Sequence, residues 1–565
     1  MSSEPNLDQD EAELAEQAQA GVLRNSAVMA GGSILSRITG VLRNTALGAA
    51  LGTTIVGDAF VLGNSLPDIV YVLVIGGALN AVFVPQLVRR MKDDADGGKA
   101  YTDSLLSLTG MMLIAVSIIT VLAAPLIVSV YATSKYDTTQ LDLAVAFARF
   151  CLPQIFFFGM YALLSQILNA RGHFAMPMFA PIFNNLVAIA TYTSFVLIVG
   201  TGVGQAGTLT TGQTAWLGIG TTLGIAAQAI VLIPIMIRAG YKWNFSRHWR
   251  GVGLGKSGRL AGWTIALVIA TQLGFIVIAR LATAANVSAT EAGDPAGLVT
   301  YTSAYLVMMI PHGIVTVSIV TAQLPNLSRQ VHAGMSRLAG LEIGHTMRLV
   351  ATVITPLGLG LFVGSQSLAE LLFRYGSLTT EMASQIGSVI AIFMLGLLPF
   401  TLYFVLQRGW YAREDTRSPF FFALLTNGAL VVIALFLFAR ASPGATQVNA
   451  LALAYVIAVW LTFVVAWPVL ARAYESLDSK NTISALLRIA VAAVLCLAAV
   501  WVLTYFVPSL SFQPGQSRGK ALVDLIATSL LISVVFVVAA WMLRIAEMRE
   551  LTSWVSRAVT RRRST

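Results

Sequence analysis

From residue 26 to residue 544 the chain alternates between long apolar runs and short polar joints, and no other feature constrains its fold as strongly. Fourteen runs can be placed, near 26–51, 58–88, 103–132, 141–169, 174–200, 212–238, 258–285, 296–324, 340–371, 382–411, 417–440, 446–472, 483–507 and 520–544. A bilayer core about 30 Å thick is crossed by roughly 20 apolar residues in a helix. With no water to satisfy them, the backbone groups of such a run must bond to one another, which a helix achieves within one segment. Charged residues make up 11% of the chain, against about 25% in soluble proteins. The expected fold is an all-α integral membrane protein with about fourteen transmembrane helices.

The joints orient these helices. After even-numbered runs stand Arg89, Arg90, Lys92 and Lys99; Arg171; Arg238, Lys242, Arg247, Arg250, Lys256 and Arg259; Arg329 and Arg337; Arg413 and Arg417; Arg472 and Lys480. After odd-numbered runs stand only Lys135, Arg374, Arg440, Arg518 and Lys520. Basic joints stay in the cytoplasm, so both termini are expected there, in a multi-pass membrane protein. Residues 1–24 are acidic and polar, without the basic start and short apolar core of a cleaved signal, and read as a disordered cytoplasmic tail. Residues 546–565 form a basic tail suited to anionic inner-leaflet lipid. The net charge of +10 follows from this bias and does not point to nucleic acid. Cys151 and Cys496 lie within apolar runs and read as small packed side chains, not a disulfide framework.

Three pairs of short patterns recur at offsets near 240. "NARGHFAMP" (169–177) and "YAREDTRSP" (411–419) share Ala-Arg-x5-Pro; Leu152-Pro153 matches Leu398-Pro399; "VPQLVRR" (84–90) matches "LPNLSRQ" (324–330). Together they imply two six-helix lobes, residues 25–240 and 256–475, with helices 13 and 14 (483–545) added. Six is even, so the lobes share one orientation and are related by a pseudo-two-fold axis along the membrane normal. Transporters built this way hold substrate between the repeats near mid-membrane.

Enzyme signatures fail. "GVGLGKS" (251–257) resembles a phosphate-binding loop, but Arg250 stands where its first glycine is required and no strand precedes it. It reads as a basic joint. The histidines (His173, His248, His312, His332, His345) never fall at metal-ligand spacing, and no metal, cofactor or covalent chemistry is expected.

Intramembrane charge is the stronger signal. An ionised side chain at mid-bilayer costs about 2.5–3.5 kcal/mol on insertion scales, and such groups usually line cavities or pair. "SRITGVLRN" (36–44) carries Arg37 and Arg43 inside the first run. At 100° per residue they flank one broad face that is otherwise small and polar, as suits a cavity wall. Asp58 and Asp68 in run 2 can pair with these arginines when no ligand is bound, and Asp58 can equally cap its own helix. Arg149 and Arg280 lie toward outer helix ends, where they either snorkel outward or face a cavity. These six residues are the candidate substrate-binding set. Arg348 is placed for lipid headgroups or a neighbouring helix, and Arg171 and Arg413 for shaping joints.

"SRITGVLRN", "GDAF" (57–60), "LP" (66–67), "FVPQL" (83–87), "ILNARGHFAMPMFAP" (167–181), "LFRYGSLT" (372–379) and "GWYAREDTRSP" (409–419) together resemble the MurJ/MviN family of lipid II flippases, part of the multidrug/oligosaccharidyl-lipid/polysaccharide exporter superfamily. The resemblance implies a central cationic cavity between the lobes and a groove on helices 13 and 14 for an isoprenoid tail. It implies alternating access that carries the lipid-linked disaccharide–peptide diphosphate to the outer leaflet. Arg37, Arg43 and Asp58 fall on positions the family uses, and Arg149 and Arg348 on basic positions. Two positions depart: family members carry arginine where this chain has Tyr71 and Leu306. These substitutions and the acidic extension are similar to those of actinobacterial members. The implied partners are lipid II, anionic lipids and cell-wall synthesis or division proteins.

Rival readings are a polysaccharide-lipid flippase, a drug or cation antiporter of the same superfamily, and a non-transporting cell-wall scaffold. An antiporter needs intramembrane carboxylates, which are few here, and Arg37 and Arg43 would repel cationic drugs. No acidic residue falls between Trp263 and Ser288, so run 7 offers no carboxylate cage for sodium. Membrane potential, about 2.3 kcal/mol per charge per 100 mV, is the expected means of resetting a cationic cavity.

Overall fold

The structure, a computed structural model, describes residues 31–73, 84–173, 175–246, 258–508 and 513–553. Its long helices are α1 (31–51), α2 (Ile55–Tyr71), α3 (Lys99–Leu122), α4 (Thr138–Ala170), α5 (Ala175–Val199), α6 (Thr211–Arg238) and α7 (Gly262–Glu291). They continue with α8 (Leu298–His332), α9 (Ser336–Val363), α10 (Thr380–Ala412), α11 (Arg417–Arg440), α12 (Ala445–Ala473), α13 (Ser479–Phe506) and α14 (Arg518–Met542). Twelve of them, α3 to α14, are long and apolar enough to cross a membrane; α1 stands where the first run was expected and α2 at the start of the second, of which residues 74–83 lie outside the described residues. Short helices Val84–Asp93, Ala124–Tyr131 and Ser365–Phe373 lie between them. Among the described residues there is no strand. The phosphate-loop-like stretch 251–257, the tail 1–24 and residues 554–565 of the basic tail lie outside the described residues.

Local chemistry sets the helix ends. Asp137 and Thr210 accept the backbone N–H of Gln140 and Gln213, whose side chains bond back, so α4 and α6 begin with capping boxes. Thr54 caps α2 by accepting from the Gly57 N–H. Leu152-Pro153 interrupts α4 with a turn, because proline removes one bond and crowds the preceding turn. Its repeat partner Pro399 sits inside α10 without a break. α8 carries a π-helical turn at His312–Thr316.

Helix pairing repeats. In the first half α4 packs on α2, α3 and α6, and α5 packs on α6. In the second half, six helices later in each case, α10 packs on α8, α9 and α12, and α11 packs on α12. α1 is tied to α5 by the Asn185 amide, which donates to the Ser36 carbonyl (3.0 Å) and the Thr39 hydroxyl (2.9 Å); α7 packs on α11 in the same way. The shared joint motif obeys the same symmetry. The Arg171 guanidinium lies over the Tyr241 ring at 4.9 Å, just after α6, and Arg413 lies over Tyr474 at 5.2 Å, just after α12. Tyr241 donates to the Asp103 carboxylate (2.5 Å), and burial with that carboxylate pushes its phenol well above the ordinary range. Tyr474 donates to the Gly409 carbonyl (2.7 Å). α13 and α14 pack on each other and on α9, outside both halves.

Candidate functional site

Between the halves lies a cavity of about 620 Å³, walled by α1, α2, α4, α5 and α6 on one side and α7 and α8 on the other. Arg43 enters it from α1, Asp68 from α2, and the amides of Asn44, Asn64, Gln154 and Asn184 surround them. Gln154 is held by donating to Asn64 (3.1 Å) and Thr222 (3.2 Å), so the break in α4 places a fixed amide at the wall. Among the described residues neither Arg43 nor Asp68 has an ion-pair partner within 4.0 Å. Both face open space and are free to bind something else. Leu306 lines the same wall, and Tyr71 stacks on Phe158 with centroids 6.1 Å apart, so neither adds charge.

Arg37 lies six residues before Arg43 and points to a different place. It crosses to the second half, donating to the Met309 carbonyl of α8 at 3.3 Å. Its guanidinium packs against Gly313, where a Cβ would overlap it. The π turn and the missing side chain together make room for an arginine between α1 and α8. Arg37 Nε is buried without a partner.

Asp58 differs from both alternatives weighed from sequence. It meets no arginine of α1, and Thr54, not Asp58, caps α2. Fully buried, its carboxylate accepts the backbone N–H of Leu298 (2.8 Å) and Val299 (2.7 Å), and so caps α8 across the halves. An anion at a helix N-terminus satisfies orphan donors and meets the positive end of the helix dipole. Gly297 is required beside it, since a Cβ would strike the carboxylate. Further bonds gather at this face, away from the basic joints. Thr53 donates to the Pro295 carbonyl (2.6 Å), Asn286 to the Thr53 carbonyl (3.0 Å), Ser377 to the Ala50 carbonyl (3.1 Å), and Lys135 to Ser288 (3.1 Å).

Arg280 joins the same face. It donates to the carbonyls of Ser129 and Val130, both at 3.0 Å, at the end of the helix Ala124–Tyr131. Arg149 is exposed and does not line the cavity. Arg348 is far from it, bonded to Asp478 (2.8 Å) and Glu547 (2.6 Å). Sequence reasoning thus gathered one set of six, whereas the structure sorts them into the cavity (Arg43, Asp68), its α1–α8 edge (Arg37), the closed face (Asp58, Arg280) and the exposed surface (Arg149). It passed over Asn286, Gly297 and Gln154, whose value comes only from what they meet.

Two repeated helical halves around a charged cavity, bonded together at one face, define a multi-span membrane transporter. The family model described as lipid II flippase MurJ matches residues 47–515, and the chain belongs to that family. It is 29% identical over 420 residues to a probable lipid II flippase MurJ of Rhizobium tropici, covering 72% of this chain and 74% of the relative. A protein of the same description from Rhizobium meliloti is 26% identical over 522 residues, covering 90% and 92%. Among solved structures, a lipid II flippase MurJ in an inward closed conformation superposes with a TM-score of 0.68 at 17% identity, over 92% of this chain and 99% of the other. A protein described as a MOP superfamily transporter from Pyrococcus furiosus gives 0.56 at 13% identity, over 80% and 96%. At these identities the structural likeness speaks to the fold alone.

Proposed function

We propose that the protein moves lipid II, the lipid-linked peptidoglycan precursor, from the inner to the outer leaflet of the cytoplasmic membrane. The observation that carries this reading is Arg43, an unpaired guanidinium inside a cavity between the halves, with Arg37 at its edge. A diphosphate needs neutralising at membrane depth, and guanidinium stays charged there while offering a fork that matches phosphate oxygens. The amides of Asn44, Asn64, Gln154 and Asn184 suit the hydroxyls and amides of a disaccharide–peptide. Transport of this kind makes and breaks no covalent bond.

The basic joints belong in the cytoplasm by their charge. The face bonded through Asp58 is then the outer one, and the cavity is closed toward the outside. Residues 25–240 and 256–475 act as the rocking lobes, and α13 with α14 provide a surface for the isoprenoid tail. Anionic lipids at the basic face and cell-wall synthesis proteins are the accompanying partners. A cation antiporter is the poorer reading, because Arg43 offsets the charge of Asp68, the one carboxylate among the described residues that line the cavity.

The test is to make Arg43→Ala and Arg37→Ala separately, confirm membrane insertion, and measure precursor exposure at the outer leaflet. A charge-assisted hydrogen bond contributes about 1.5–3 kcal/mol, so Arg43→Ala should slow exposure by roughly ten- to a hundredfold. Arg43→Lys, which keeps the charge but loses the fork, should fall between. Parental rates in both alanine variants would overturn the reading.

A further inference from the structure

Arg408 has no role in the cavity, the closed face or the repeated joints. It is half-buried, four residues from the end of α10 on the side of the basic joints. A guanidinium inside a membrane helix is costly unless something pairs with it. Among the described residues no carboxylate forms an ion pair with Arg408. Glu342 shares a small adjoining cavity with it, but that carboxylate is taken up by the Asn326 amide (2.8 and 2.9 Å) and the Gln330 amide (2.6 Å).

Besides the Tyr411 ring at 5.7 Å, what Arg408 touches leads toward the substrate cavity. Its guanidinium carbon lies 4.2 Å from the centre of the Phe404 ring. Phe404 meets the His312 ring at 4.8 Å, and His312 opens the π turn whose Gly313 packs against the Arg37 guanidinium. Arg408, Phe404, His312 and Arg37 therefore form one row across α10, α8 and α1. Arg43 continues it six residues deeper along α1. The row is under-satisfied: His312 Nδ1 and Arg37 Nε are both buried without a partner, and His312 is 7% exposed. Buried polar atoms without partners are rare and call for a ligand or another explanation.

We propose that Arg408 is the first phosphate-binding position on the way from the basic face to the cavity, handing the diphosphate of the lipid-linked substrate on to Arg37 and Arg43. This rests on the function proposed above. Among the described residues no hydrogen bond takes the N–H groups of Arg408, which leaves them for phosphate oxygens while the ring contact holds the guanidinium in place. The position also supplies from α10 a positive charge that Tyr71 on α2 and Leu306 on α8 do not.

The experiment measures equilibrium binding of farnesyl diphosphate, a water-soluble prenyl diphosphate, to the full chain in phosphatidylcholine nanodiscs. Arg408→Gln should weaken binding about tenfold, and Arg408→Lys should recover part of the loss. Both variants must keep the parental melting temperature, which separates a binding defect from a folding one. If Arg43→Gln weakens binding and Arg408→Gln does not, this inference is overturned while the function stands. If the parent chain does not bind the probe, both fail. A deficit seen only in phosphatidylglycerol nanodiscs would make Arg408 an anchor for lipid headgroups and would also overturn the inference.

Discussion

The residue that best explains how the halves meet is Asp58, and its effect can be measured. Asp58→Asn keeps the shape but removes the charge from the α8 N-terminus, where an anion is worth about 0.3–1 kcal/mol and up to about 2 when partly buried. The halves should then part more often at that face. In a chain also carrying Ser288→Cys, labelling by a membrane-impermeant maleimide should rise several-fold over the Ser288→Cys chain alone; unchanged labelling would remove Asp58 from the closure. Arg280→Ala should raise the same labelling and leave prenyl diphosphate binding intact, because Arg280 serves carbonyls of the closed face. Weakened binding with unchanged labelling would instead return Arg280 to the cavity. Arg37 and Arg43 were legible in the sequence because charge stands out against an apolar run. The partner of Asp58 was not, since it lies 240 positions away and consists of backbone N–H groups, which carry no sequence signature. Arg408 was missed for another reason: near the end of its run, it reads as one more basic residue beside a basic joint.

At the scale of elements, the two joints after the Ala-Arg-x5-Pro motifs should matter for stability and not for binding. Tyr474→Phe removes a buried hydrogen bond to the Gly409 carbonyl, worth about 1 kcal/mol. Arg171→Leu and Arg413→Leu each lose a cation–ring contact of about 0.5–1 kcal/mol. All three should lower the melting temperature of the purified chain while prenyl diphosphate affinity stays at the parental value. A binding loss at constant melting temperature would mean that the joints reach the site. The motif itself was readable as a local repeat, and the run lengths gave the helices, because lipid leaves the backbone few alternatives. The tyrosines that complete the joints were not readable, since each follows a different helix from its arginine. The breaks escaped as well. Leu-Pro recurs in α4 and α10, yet only α4 turns there, while the π turn of α8 follows directly on Pro311. Pro311 disturbs the helix locally, but what the turn accommodates, the Arg37 guanidinium against Gly313, is carried by another helix.

For the whole molecule, the arrangement of bonds decides what can move. Among the described residues, hydrogen bonds between the halves gather at the Asp58 face, with Arg37 to Met309 as the deeper contact. α13 and α14 are bound to the second half instead. Arg348 joins α9 to Asp478 before α13 and to Glu547 beyond α14, and His345 meets Glu550 at 2.9 Å. Those helices should therefore travel with the second half as one body. Glu547→Ala leaves a mostly buried guanidinium short of one charged partner, which should cost roughly 1.5–3 kcal/mol. The expected readout is faster proteolytic removal of the segment after Met542, and parental resistance would count against the latch. If the halves rock about this closed face, fixing it should stop transport without abolishing binding. Lys135 and Ser288 touch at 3.1 Å from opposite halves, and the native Cys151 and Cys496 are buried, so added thiols can be addressed alone. A chain carrying Lys135→Cys and Ser288→Cys, joined by a short thiol-reactive linker, should bind prenyl diphosphate like the parent. It should expose no precursor at the outer leaflet until a cleavable linker is cut. Either single substitution should transport normally. Precursor exposure at the parental rate with the linker intact would mean that substrate crosses without the halves parting at this face, and alternating access would have to be abandoned for this chain.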